Sequence, residues 1–135
     1  MTAIATRLLS DSTDSLLRFA MRADATLTGL LGLVVAAAAN PVASLSGLTP
    51  TTEFIMGAAF VLYGLAVFSL AALPNLRRVG IGVIIANIVC TVAAVVVVEA
   101  GALPLTGIGV AAMLATGVYT AFFAVLQYLG LRRLA

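Results

Sequence analysis

The sequence predicts an all-α integral membrane protein: a four-helix bundle with short loops and a short N-terminal amphipathic segment. Three observations carry this. The 135-residue chain is 63% hydrophobic and only 9% charged, with a mean hydropathy of +1.22. Its apolar residues gather in four stretches, about 25–43, 53–73, 79–100 and 107–131, each near the roughly 20 residues a helix needs to cross hydrocarbon. All seven arginines stand outside the apolar centres of those stretches. The spans leave no room for a soluble domain. The chain therefore divides into an N-terminal cytoplasmic or interfacial segment, 1–23, and a transmembrane bundle, 24–135.

Taken in order, residues 1–10 are expected to be mobile, and a helix to begin at the capping residues Asp11 or Ser12. Leu16, Leu17, Phe19, Ala20 and Met21 are apolar, whereas Asp14, Arg18 and Arg22 are not, and the two arginines lie one turn apart. Two readings stay open: an interfacial amphipathic helix with arginine heads at lipid phosphates, or a longer first span from Leu16. A cleaved signal peptide is not expected, because Asp11, Asp14 and Asp24 interrupt the approach to a late apolar run.

Span one should stop near Asn40-Pro41, since a residue before proline is pushed out of helical geometry. An outer loop rich in Ser, Gly, Thr and Pro follows, Val42–Thr52. The run Pro50-Thr51-Thr52-Glu53 supplies a hydroxyl cap and an acidic first turn for span two. Leu73-Pro74-Asn75 ends span two, and Arg77-Arg78 make the turn into span three. Gly101 and Pro104 end span three, and Thr106 can cap span four. The short second and third loops should pack neighbouring spans antiparallel. Lipid gives no hydrophobic drive between helices, so small residues mark the contact faces. These are Gly29, Gly32, Ala36 and Ala39; Gly57, Gly64 and Ala71; Gly82, Ala86, Cys90 and Ala93–Ala94; and Gly109, Ala112, Thr116 and Thr120.

Charge sets the orientation. Arg7, Arg18 and Arg22 precede span one, Arg77 and Arg78 separate spans two and three, and Arg132 and Arg133 follow span four. The other two loops have no basic residue, so the positive-inside rule places both termini in the cytoplasm. Arginine without lysine, with abundant alanine, fits a GC-rich bacterium, and the expected location is its inner membrane. A net charge of +2 is too small and scattered for a nucleic-acid patch. The expected surroundings are the lipid bilayer, with a second copy or another membrane protein as partner.

Three intramembrane polar residues are candidates for a site: Asp24, Asn87 and Gln127. Asn87 lies about 12 Å below the cytoplasmic boundary at helical rise. The faces Gly80, Ile84, Asn87, Thr91, Ala94 and Thr116, Thr120, Phe123, Gln127 are continuous. Asp24 opens span one, where it could also complement the helix start or pair with Arg18 or Arg22. One reading joins the three residues in a polar cavity open to the cytoplasm. The other has them hydrogen-bond helices together. Tyr63 and Tyr119 lie deep enough to need partners. Glu53 and Glu99, at the outer boundary, are expected to be solvated helix-end acids.

Catalytic motifs are missing. There is no His, one Cys (Cys90, a small apolar filler), no phosphate loop and no nucleophile elbow. An enzyme is not expected, nor a cofactor or metal. Small multidrug exporters need a carboxylate deep in span one, and Leu27–Ala39 has none.

The frame Arg22-x-Asp24-x4-Gly29-x2-Gly32-Leu33, the Gly47-Leu48 turn, Asn87, Leu105-Thr106-x2-Gly109-Val110 and the end Leu126-Gln127-Tyr128-Leu129-Gly130-Leu131-Arg132-Arg133 resemble a family of small bacterial four-span membrane proteins without assigned activity. Where that family often has an aromatic after the Asn, this chain has Val89 and Cys90. A more distant likeness is to the DoxX-like membrane proteins. The resemblance implies fold and topology only. The leading expectation for function is a non-catalytic accessory or scaffold protein. The alternatives are a small transporter or channel with an inward-facing cavity, and a lipid- or quinone-binding protein.

Overall fold

Four long helices and one short one make up the chain in a computed structural model that describes the backbone of residues 2–135 and side chains from Thr13 onward. They are α1 (Thr2–Ala37), α2 (Ala39–Ser46), α3 (Pro50–Leu70), α4 (Arg77–Ala100) and α5 (Gly107–Arg132). Four segments are long and apolar enough to span a membrane: Thr13–Ala37 of α1, then α3, α4 and α5.

The first helix differs from expectation at both ends. It is already helical at Thr2 and runs unbroken past Asp24. The side chains of the expected caps, Asp11 and Ser12, lie outside the described residues. Leu17, Ala20 and Met21 are fully buried, so the amphipathic stretch packs as part of the bundle. Its apolar face finds α3, α4 and α5 rather than a lipid surface, and that packing favours continuing the helix. At the other end α1 stops at Ala37, before Asn40-Pro41. The proline instead sits in the first turn of α2, where its missing N–H is no loss. Much of the expected outer loop is thus helical. Gly47 ends α2 in the left-handed region, φ 89°, with its N–H on the Ala43 carbonyl.

Helix α3 starts as its residues dictate. Thr49 accepts from the Thr52 N–H, Pro50 follows, and Glu53 lies in the first turn. Thr106 caps α5 by accepting from the Gly109 N–H at 3.0 Å.

The packing order is α3, α1, α5, α4. Helix α1 lies along α3 on one side and α5 on the other, and α4 rests mainly on α5. Loop 71–76 joins α3 to α4, yet these two do not pack along their lengths. The reason is competition for small faces. A Cβ on Gly57 would stand 2.6 Å from the Ala36 nitrogen, and one on Gly64 would stand 2.6 Å from the Ala25 carbonyl. The smooth face of α3 is therefore filled by the backbone of α1. The expected stripe on α4 is not used in this way: Gly82 has nothing within 4 Å and Cys90 is exposed. Of that stripe Ala94 is buried, and it lies on the face that α4 does bury, Gly80, Ile84, Asn87 and Ala94. Helix α5 likewise leaves Ala112 exposed and buries Gly109, Gly117, Thr120, Phe123, Gln127 and Gly130. A Cβ on Gly130 would stand 2.7 Å from the Leu17 backbone, so α1 and α5 touch closely at the arginine-bearing end.

Arg18 ties that end together. Its guanidinium donates to the Ala71 and Leu73 carbonyls and to Asp14 at 2.9 Å. It thereby caps the C-terminus of α3, where free carbonyls and the helix dipole favour a cation. Arg22 lies over the Phe68 ring, 5.4 Å from its centroid.

At the opposite end Glu53 overturns the expectation of a solvated acid. It is 3% exposed, and the Ser46 hydroxyl donates to it at 2.6 Å. The end of α2 folds over the first turn of α3 and covers the carboxylate, which sequence spacing alone did not reveal. Glu99 is exposed. Glu53→Gln keeps an acceptor for Ser46 and should melt near the parent. Glu53→Leu removes it and should lower stability by about 1–2 kcal/mol, as read from melts in detergent.

Candidate functional site

The carboxylate of Asp24 is fully buried where α1, α3, α4 and α5 converge. The helix around it explains its depth. Within the apolar segment Thr13–Ala37, Asp24 stands near the middle rather than at the start. A carboxylate therefore does lie deep in the first helix, and the contrast drawn with small multidrug exporters on that ground falls away.

Five side chains donate to it. Oδ2 accepts from the Tyr63 hydroxyl, the Asn87 Nδ2 and the Gln127 Nε2, each at 3.0 Å. Oδ1 accepts from Thr28, one turn along α1, at 3.1 Å, and from Tyr119 at 3.0 Å. The Tyr119 hydroxyl also lies 3.0 Å from the Asp24 backbone carbonyl and 2.9 Å from Thr28. The second Nδ2 hydrogen of Asn87 reaches the Gln127 Oε1 at 2.9 Å. That bond fixes both amides with their nitrogens toward the carboxylate. Neither Arg18 nor Arg22 pairs with Asp24; the acid partner of Arg18 is Asp14. Among the described residues the donors to the acid are all neutral, and every long helix contributes at least one.

The structure thus brings Asp24, Asn87 and Gln127 into direct contact. It adds three residues: Tyr63 and Tyr119, expected only to need partners, and Thr28, not singled out. The signal for Thr28 was its i+4 spacing from Asp24 on one helix face.

A ladder of hydroxyls extends from this cluster between α4 and α5. Thr91 donates to the Asn87 carbonyl at 3.0 Å and lies 2.7 Å from the Thr120 hydroxyl. Thr120 reaches the carbonyls of Thr116 and Gly117. Among the described residues no buried side-chain nitrogen or oxygen lacks a partner. None of them forms a group of three His, Cys, Asp or Glu side chains able to hold a metal.

A carboxylate out of water is costly unless donors satisfy its lone pairs. Here five donors point inward at one acid. The arrangement holds four helices in a single register and rotation: turning α3, α4 or α5 withdraws a donor from the acid.

No protein-family model, curated protein or solved structure matches this chain.

Proposed function

We propose that this chain is a non-catalytic accessory or scaffold protein of a bacterial inner membrane, with both termini cytoplasmic, acting through helix–helix packing. The observation that carries the reading is the closure of the Asp24 cluster. Its polar groups satisfy one another, so their chemistry is used to hold the bundle together. What remains for partners is the outer surface, where large apolar side chains such as Leu62, Leu65, Val118 and Val125 are more than half exposed. In a bilayer such surface faces lipid or another helix.

Native mass spectrometry of protein gently released from its own membrane tests this. The expected result is a homo-oligomer or a stoichiometric complex with another membrane protein. A monomer with no protein partner overturns the reading.

A second reading, a small transporter with an inward-facing cavity at Asp24, Asn87 and Gln127, is favoured by the depth of Asp24 within the first helix. It predicts that Asn87→Leu abolishes flux in proteoliposomes while the bundle stays folded. Unchanged flux removes Asn87 from that mechanism.

A further inference from the structure

A groove runs between α4 and α5 on the outside of the bundle, away from the Asp24 carboxylate. Its walls are Ile84, Ile88 and Val92 on one side and Ala121, Val125 and Tyr128 on the other, and it encloses about 340 Å³. From Ile84 to Val92 it is about 12 Å long at helical rise, close to one leaflet of a roughly 30 Å hydrocarbon core. The small side chains of Ala121 and Ala124 give it depth. Two lining residues carry a hydroxyl: Thr91, already bonded to Thr120 and to helix carbonyls, and Tyr128, which stands at the mouth; the rest of the lining is aliphatic. The groove therefore offers an occupant apolar contact alone.

Its mouth is different. Tyr128 ends the groove at the arginine-bearing end, and the Arg132 guanidinium lies over its ring, 5.9 Å from the centroid. Among the described residues the recorded ion pair is Arg18–Asp14, and Arg132 has no acid partner. Arg132 closes the last turn of α5, and Arg133 follows it.

An apolar slot one leaflet long with a cation at its polar end matches an amphiphile with a hydrocarbon chain and an anionic head. A neutral-headed quinone would leave Arg132 without a counter-charge. A free anion would make no use of the slot. We propose that the α4–α5 groove seats one acyl chain of an anionic phospholipid whose phosphate is bound by Arg132 beside Tyr128. The site shares no cluster donor with Asp24 and stands independently of the scaffold reading.

The test is native mass spectrometry of the full chain in detergent, titrated with phosphatidylglycerol or phosphatidylcholine of identical chains. One phosphatidylglycerol should be retained per protein in preference to phosphatidylcholine. Arg132→Gln should cut that preference about fivefold, while Arg78→Gln, at the head of α4, should leave it unchanged. Ala121→Phe should fill the groove and abolish retention. Should it lower the yield of folded protein, Val92→Trp, at an exposed position, fills the same groove. Equal retention of the two lipids, equal effects of Arg132→Gln and Arg78→Gln, preferential retention of a quinone, or glycerophosphate binding as well as the intact lipid would each overturn the proposal.

Discussion

Asp24→Leu should be the most damaging single substitution in the chain. It removes the common acceptor of Tyr63, Thr28, Asn87, Tyr119 and Gln127, and leaves five donors facing a methyl-bearing side chain. Hydrogen bonds between membrane helices average roughly 0.6 kcal/mol, and an orphaned buried donor costs about 1–3 kcal/mol. Even at the lower figure the four bonds that cross between helices amount to about 2.4 kcal/mol, a large part of the 5–15 kcal/mol typical of a folded domain. Asp24→Asn should fall between parent and leucine: its carbonyl still accepts, but its amide turns two donors toward the donors of its neighbours. The chain has no tryptophan, so thermal unfolding is best followed by far-ultraviolet circular dichroism, with size-exclusion profiles alongside. A leucine variant that melted with the parent would mean that the cluster holds nothing together.

Gly64→Leu should have the next largest effect, by a different route. A Cβ there would lie 2.6 Å from the Ala25 carbonyl and 2.9 Å from the Gly29 Cα, and both are backbone atoms that no rotamer change can move. Overpacking a core costs about 1–3 kcal/mol when side chains can adjust. Here α1 and α3 must separate, which also draws Tyr63 away from Asp24. The control is Gly82→Leu, which meets nothing within 4 Å. Loss of the monodisperse species for Gly64→Leu with an unchanged Gly82→Leu locates the effect in the contact rather than in helix propensity. Equal behaviour would place it in propensity.

The spans were legible because hydrocarbon allows few solutions: apolar runs of spanning length must be helices. Thr106 could be read as a cap, and Gly57 and Gly64 as a contact face, because these signals are local. Asn87 and Gln127 stood out because amides at that depth require partners. What the sequence withheld was which helix meets which. Gly82, Ala86 and Cys90 form as good a stripe as Gly57 and Gly64, yet Gly82 and Cys90 are exposed and Ala86 is only half-buried, because α1 fills the smooth side of α3 and α5 takes the polar side of α4. The burial of Glu53 depends on how α2 folds over α3. For the first helix the sequence left two readings open, because charged residues at 14, 18 and 22 share a stretch with Leu17, Ala20 and Met21; the buried apolar face agrees with the longer span, which sets Asp24 near its middle rather than at its start.

The span of the Asp24 bonds along the chain bears on how the protein is made. Asn87 lies 63 residues after Asp24, and Gln127 lies 103 after it. At a synthesis rate of about 5–20 residues per second, the last donor leaves the ribosome roughly 5–20 s after the acid it serves. For that interval the first helix carries a carboxylate without its full set of ligands. The hairpin of α3 and α4 cannot shelter it by closing on itself, since those helices do not pack on each other. A nascent chain stopped at Ala100 would have its acid, Tyr63 and Asn87 but neither Tyr119 nor Gln127. The carboxylate therefore gains its full set of donors only once α5 has been made.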